Sequence, residues 1–321
     1  MGPGRIARAF AEGLKYVQNG ELVAIASRNQ VRADEFAREW KVEHSYGSYQ
    51  ELAESTTVDA VYIATPHSEH RRATSLCLKN GKCVLCEKPL AVNAKEVRAM
   101  IETAQNENLL LMEGMWSRFP PLMAQVRQWV QEEIIGKVSL IQADFGFLPK
   151  DTNPDGRLFN PNLAGGSILD VGIYPISFAS MLMGCPKEFL TFATMSETGV
   201  DKQASCLLRY NCGAHAMLHS SISYETGQEA QIFGSKGSIR IHKQCWRPQK
   251  ATIKLHKNSE EKIVEMPFVG NGFNYEAEHF GNLIITDKKD SDIMPLKESL
   301  EIITLLDKIR EDWNLKYPFE D

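Results

Sequence analysis

Three short stretches of this sequence carry residue types able to hold a phosphorylated ligand or move a proton. Gly2-Pro3-Gly4-Arg5-Ile6-Ala7 fits G-x-G-x-x-A. In that pattern the first glycine makes a tight turn, the second lets backbone approach a pyrophosphate, and the alanine keeps the next helix close to a sheet. The helix read over residues 5–16 adds the positive end of its dipole. About twenty residues on, where an acidic residue would hold a ribose 2′-hydroxyl, the chain reads Ala26-Ser27-Arg28-Asn29. A hydroxyl and a guanidinium suit a 2′-phosphate instead, so NADP(H) is expected rather than NAD(H).

The second stretch is Glu87-Lys88-Pro89, directly after the strand-like run at residues 83–86. That places it at a strand's carboxyl end, where ligands of doubly wound sheets collect. The third is Gly165-Gly166-Ser167-Ile168-Leu169-Asp170-Val171-Gly172-Ile173-Tyr174. Asp170 and Tyr174 are four apart, so on a helix they share a face, and buried polar groups on an apolar helix need partners. Two other spacings invite a metal reading and lack support for it. Cys83 and Cys86 fall on opposite sides of a strand. His67 and His70 have no third ligand nearby in the sequence.

The elements that must position these residues fall into two groups. Strand-like runs at 22–26, 60–64, 83–86 and 109–112 alternate with helical spacing at 31–40, 49–54, 70–80 and 94–106. Such alternation implies a parallel sheet covered on both faces. The phosphate fingerprint should follow a first strand, yet only Met1 precedes it; a misplaced start, a truncated chain and a degenerate copy are the alternatives. From Gly136 the pattern changes to grouped strands at 138–147, 187–193, 204–210, 214–223, 228–233, 238–242, 252–256 and 262–266. Helices near 168–183, 274–286 and 296–313 interrupt or follow them, which suggests an α+β domain with a large, mostly antiparallel open sheet. Pro120-Pro121 marks the boundary, giving a dinucleotide-binding domain at 1–117 and a substrate-binding and dimerisation domain at 118–321.

Taken in order, G-x-G-x-x-A, Ser27-Arg28, Thr65-Pro66-His67-Ser68-Glu69-His70, E-K-P and G-G-x-x-x-D-x-G-x-Y resemble the Gfo/Idh/MocA oxidoreductase family essentially end to end. Leu85-Cys86-Glu87-Lys88-Pro89, Trp116-Ser117-Arg118-Phe119 and Tyr174 in place of the His of many members resemble its branch acting on sugars such as D-xylose and on trans-dihydrodiols. The resemblance implies an α/β fold with an N-terminal Rossmann-like sheet and hydride transfer between a secondary alcohol and NADP. It implies Tyr174 as acid/base, with the ammonium of Lys88 favouring the phenolate or sharing the proton transfer, and Asp170 orienting them or binding a substrate hydroxyl. Gly2, Gly4, Arg5, Ile6, Ser27, Arg28, Thr65, Pro66, His67, His70, Glu87, Lys88, Trp116 and Arg118 are the implied cofactor contacts. Phe147, Arg157, Asp170 and Tyr174 are the candidate substrate contacts, with Phe159 a further candidate wall. No metal is expected. Relatives pair through the open C-terminal sheet, which implies a homodimer, with strands 204–210 and 214–223 as candidates for that face. Other polyols, a sugar acid, biliverdin, and a non-catalytic NADP-binding regulator are the competing readings.

Composition narrows the classes further. With 36 basic and 41 acidic side chains the net charge is −5, a poor balance for nucleic acid or anionic membranes. At 321 residues, 43% of them hydrophobic, the chain is long enough for two cores of about 150 residues each. No apolar run is read as long enough to cross a bilayer, and no apolar signal core opens the chain. Seven scattered cysteines read as reduced thiols of a cytoplasmic protein.

Overall fold

A computed structural model describes residues 1–257 and 261–320. The chain forms two compact units, Met1–Phe119 with Val269–Leu300, and Pro120–Phe268 with Glu301–Asp321. A division at 117/118 would make each domain continuous; instead the first unit takes back a late segment. The reason is aromatic. Helix α8 (Phe273–Ile285) brings the Phe273 ring onto Trp116 at 4.7 Å between centroids and edge-on to Phe10 at 6.4 Å.

In the first unit, β1 (Ala24–Ala26) and β2 (His44–Tyr46) pair in parallel, and β3 (Ala60–Ile63), β4 (Cys83–Glu87) and β5 (Leu111–Gly114) form a second parallel set in that order. Helices α1 (Arg5–Leu14), α2 (Gln30–Trp40), α3 (Tyr49–Glu54), α4 (His70–Lys79) and α5 (Ala94–Asn106) alternate with them. β5 is buried throughout and β4 at all but its first residue, as parallel strands covered on both faces require. Asn29, Ser48 and Asn93 cap α2, α3 and α5 by accepting from the backbone N–H three residues on, which starts each helix at a defined residue. Met1 and Gly2 run between the two strand sets. The Met1 α-amino group donates to Tyr62 O at 2.7 Å, Ala64 N donates to Met1 O at 3.0 Å, and Gly2 N donates to Ala26 O at 3.0 Å.

The second unit is built on an eight-stranded sheet. Its strands are β6 (Val138–Gly146), β7 (Glu188–Met195), β8 (Asp201–Arg209), β9 (His215–Ser221), β10 (Ala230–Gly234), β11 (Gly237–Ile241), β12 (Lys250–Leu255) and β13 (Glu261–Glu265). Their spatial order is β13-β12-β11-β10-β6-β9-β8-β7, with only β6 and β9 parallel among neighbours. Helix α6 (Pro121–Gln131) opens the unit with proline at its first position, and α7 (Ile173–Met183) packs on β6 and β9. Strand alternation then sorts the faces. Ile141, Ala143, Cys206, Leu208, Ala216 and Leu218 are buried, while Leu190, Phe192, Leu207 and Met217 stand on the open face.

One expectation is corrected here. Pro161–Met183 is long and apolar enough, by length and composition, to cross a membrane, although no run of that size was expected. It is 78% buried within the protein, which is the condition of a core helix.

Candidate active site

The phosphate-binding turn begins at Gly2, whose φ of +86° and the 2.8 Å between a built Cβ and Ala64 O exclude a side chain. Gly4, by contrast, faces open space: no atom lies within 4 Å of its built Cβ. Gly4 also starts α1 without a side-chain cap, so the first-turn N–H groups lack that partner. Bare backbone at a helix start, kept open by glycine, fits a dinucleotide pyrophosphate. Arg5 is exposed and Ile6 half-buried beside this opening.

At the end of β1, Ser27 is buried and its Oγ accepts from Asn29 N at 3.2 Å, while Arg28 is exposed. Arg28 does not stand by itself. Burial raises the Tyr49 phenol above its ordinary value, and the charges of Arg28, Glu69, Arg32 and Arg72 act on it too, the arginines against the shift and Glu69 with it. The sequence pattern singled out only the first of these arginines, because Arg32 and Arg72 lie on α2 and α4 and meet Arg28 only through the fold.

The E-K-P turn is enclosed. The Lys88–Pro89 peptide is cis, and Lys88 is 8% exposed. His70 is fully buried, with Nδ1 2.8 Å from Pro89 O and Nε2 3.0 Å from Thr65 O. A neutral ring has one N–H to donate, so His70 donates to one of these two loop carbonyls and lies against the other, fully enclosed between them. Burial pulls its imidazole below the ordinary value despite those carbonyls. Arg118 is enclosed as well: it is 2% exposed and paired with Glu298 at 2.7 Å, with a further bond to Ile293 O. Trp116 is 8% exposed beneath Phe273. His67 and Pro66 remain half-buried at the start of the segment leading into α4, and Thr65 is buried beside them.

Behind Lys88, Glu87 of the E-K-P motif is joined by a second buried acid, Glu276, that no motif announced. Burial lifts the Glu87 carboxyl to about 7, against a hydrogen bond from the Tyr62 hydroxyl and the charge of Lys88. Glu276, on the first turn of α8, is wholly buried with no hydrogen-bond partner at either oxygen. Burial, and then the charge of Glu87, hold it protonated well above the carboxylate range. The Tyr62 ring stacks on Phe10 at 3.6 Å.

In the second unit, a π-helical turn at Ile168–Gly172 carries Asp170 and leads straight into α7, where Tyr174 is the second residue. Wide turns of this kind are frequent at functional sites. Asp170 is buried and its Oδ1 accepts from Arg157 Nη1 at 2.8 Å. The Tyr174 phenol also bears electrostatically on Arg157, after the charge of Asp170 and its hydrogen bond. An aromatic wall borders Tyr174. Phe145 lies 5.4 Å from it, stacks on Trp246 at 3.6 Å and tilts against Phe147 at 6.3 Å. Phe159 is buried. Phe145 and Trp246 went unmarked in the sequence: the first is one residue in a strand, the second one residue in a loop, and only packing joins them. Cys83 and Cys86 sit on β4, half-buried and buried, and no disulfide joins cysteines among the described residues. Among the described residues no cluster of three or more His, Cys, Asp or Glu could hold a metal ion.

Comparison with known proteins fits both halves. Residues 1–115 match the oxidoreductase family with an NAD-binding Rossmann fold, and residues 123–240 match the GFO/IDH/MocA C-terminal domain. The chain is 37% identical to trans-1,2-dihydrobenzene-1,2-diol dehydrogenase of Mus musculus and 35% identical to that of Homo sapiens, each over 98% of this chain and 96% of the relative. Among solved structures, the 3-ketoreductase KijD10 of Actinomadura kijaniata, in complex with NADP and TDP-benzene, superposes with a TM-score of 0.87 at 25% identity, covering 97% of this chain and 95% of that one. Aldose-aldose oxidoreductase of Caulobacter crescentus, complexed with glycerol, gives 0.85 at 25% identity, covering 96% and 92%. With both domains matched and a long relative above a third identical, the chain belongs to the Gfo/Idh/MocA oxidoreductase family.

Proposed function

We propose that this oxidoreductase is an NADP-dependent dehydrogenase of a cyclic secondary alcohol, either a trans-dihydrodiol or a sugar such as D-xylose. The observation that carries the reading is the set Tyr174, Asp170 and Arg157 beside the aromatic wall of Phe145, Phe147 and Trp246. A flat or chair-like ring has an apolar face to lay on such a wall and hydroxyls to offer the polar set. When bound, the nicotinamide supplies the hydride acceptor. Tyr174 takes the hydroxyl proton, and an unperturbed phenol near pKa ~10 needs nearby positive charge to do so at neutral pH. In this reading Lys88 supplies that charge. Asp170, oriented by Arg157, holds a neighbouring substrate hydroxyl. Arg28, supported by Arg32 and Arg72, reads the 2′-phosphate, and Gly2, Gly4 and the start of α1 hold the pyrophosphate. The dehydrogenase relatives and the NADP-bound structural neighbours support the same assignment.

The remaining features fit a cytoplasmic homodimer. Seven scattered cysteines held as thiols suit a reducing compartment. On the open sheet face, Leu190, Leu207 and Met217 lie in one cross-strand row, 67%, 44% and 51% exposed, with Phe192 at 79% nearby. A contiguous apolar patch of this kind favours burial against a second copy. The test of the catalytic reading is Tyr174→Phe. Turnover of trans-dihydrodiols and pentoses should fall about a hundredfold or more while NADPH affinity stays within a factor of about two. Surviving turnover would remove Tyr174 from the acid/base role.

A further inference from the structure

The turn that presents Asp170 and Tyr174 begins without help from its own side chains. Ser167 is the residue before Ile168, yet its hydroxyl caps none of the turn's N–H groups. The acceptor comes from β8 instead, thirty-four residues later in the chain. Asp201 Oδ2 accepts from Ser167 Oγ at 2.7 Å and from Ile168 N at 2.7 Å, and Ser167 Oγ lies 3.1 Å from Ser220 Oγ on β9. Asp201, Ser167 and Ser220 are all fully or almost fully buried. Space around the carboxylate is reserved for it. Gly166 has φ +118°, and a Cβ there would fall 2.3 Å from Asp201 Oδ1. A Cβ at Gly172 would meet both Ser220 Oγ and Ile168 Cδ1 at 2.9 Å. Tyr317 closes the same corner by donating its hydroxyl to Gly165 O at 2.6 Å.

We propose that Asp201 is a positioning residue for the reaction: by capping the π-helical turn from β8, it fixes the rotational phase at which Asp170 and Tyr174 leave that turn. This inference rests on the proposed roles of those two residues. A wide helical turn has one more residue per hydrogen-bonded ring than the α-helix it enters, so its start must be pinned or the phase slips. A side-chain acceptor on the first free N–H does that pinning, and a carboxylate at a helix start also complements the dipole. Burial pushes the Asp201 carboxyl up to about 7, partly offset by the same hydrogen bonds. The ionisable groups around it are Cys206 on β8 and Tyr317 near the C-terminus, both pushed up by burial and by Asp201 itself. Asparagine keeps the side chain's size and an acceptor oxygen for Ser167 Oγ and Ile168 N, so it is the conservative replacement.

The experiment compares Asp201→Ala and Asp201→Asn in the full chain. Three readouts are taken: kcat with the substrate found in the Tyr174→Phe work, amide hydrogen exchange at Ile168, and the 13C resonance of ring-labelled Tyr174, assigned by its loss in Tyr174→Phe. In Asp201→Ala, exchange at Ile168 should accelerate, the Tyr174 resonance should move, and kcat should fall about 10- to 100-fold with NADPH affinity unchanged. Asp201→Asn, which keeps the acceptor oxygen, should restore all three. An unmoved Tyr174 resonance in a folded Asp201→Ala, or an asparagine variant as impaired as alanine, would overturn the proposal. If Tyr174→Phe keeps full turnover, the catalytic reading falls, while the exchange and resonance readouts still decide whether Asp201 sets the turn.

Discussion

Removing the Tyr62 hydroxyl tests whether the buried acid behind Lys88 is as poorly hydrated as its surroundings imply. Glu87 is 7% exposed, and its carboxyl is lifted from 4.5 to about 7. A carboxyl raised in this way contributes stability that is complete below 4.5 and is lost as pH climbs through 7, because the fold prefers the neutral form. The Tyr62 hydroxyl opposes that loss by donating to the carboxylate. Tyr62→Phe keeps the ring that stacks on Phe10 at 3.6 Å and deletes only the donor. A hydrogen bond to a charged group is worth ~1.5–3 kcal/mol and a neutral one ~0.5–1.5 kcal/mol. The substitution should therefore cost about 2–3 kcal/mol near pH 8.5 and about 1 kcal/mol near pH 5.5. The difference corresponds to roughly one further unit of upward shift at Glu87. Urea unfolding midpoints at the two pH values read it directly, and in a Glu87→Gln background the pH dependence should vanish. Equal costs at both pH values would mean that Glu87 is not the buried acid described, and the electrostatic account of this turn would fail.

The two glycines of the phosphate turn should behave oppositely. Gly4→Ala adds a methyl where no atom lies within 4 Å, so Tm should hold while NADPH affinity drops about tenfold or more. Gly2→Ala collides with Ala64 O at positive φ and should cost about 1–3 kcal/mol of stability before any ligand is added. Arg28→Ala should weaken NADPH binding about 10- to 100-fold in a fluorescence titration and leave NADH unaffected; equal losses for both would reassign the phosphate reader. Phe192→Asp on the open sheet face should convert a dimer near 72 kDa, twice the 36.1 kDa chain, to a monomer by light scattering, with the fold intact by circular dichroism.

The parts of this protein that could be read from its sequence are those with a local cause. Gly2 and Gly4 are legible because backbone freedom leaves a glycine, and β4 because two-sided burial leaves a continuous apolar run. The Asp170–Tyr174 spacing is legible because a helix repeats. β2 has no such mark: His44-Ser45-Tyr46 is half-buried throughout, and pairing with β1 alone makes it a strand. The same holds for side chains. His70 and Arg118 have residue types that suggest chemistry, yet both are buried, and their partners lie up to 180 residues away. Asp201, Glu276 and Trp246 matter only through neighbours that the chain order keeps apart. Helix α8 is the clearest case, since its amphipathic pattern says that one face is buried without saying in which unit.

That late return of α8 has a consequence during synthesis. Phe10 emerges from the ribosome among the first residues, and its aromatic neighbour Phe273 follows more than 260 residues later. At ~5–20 residues per second, the first unit waits about 13–50 s for the helix whose Phe273 packs on Phe10 and Trp116. Its nucleotide-binding half therefore cannot mature as an independent early domain, although it comes first in the chain. The eight-stranded unit is bracketed in the same way, because Glu301–Asp321 rejoins it only after α8 has been made. Each unit holds the last piece of the other hostage to elongation, so a nascent chain arrested anywhere before residue 300 carries two incomplete cores and is a natural client for chaperones.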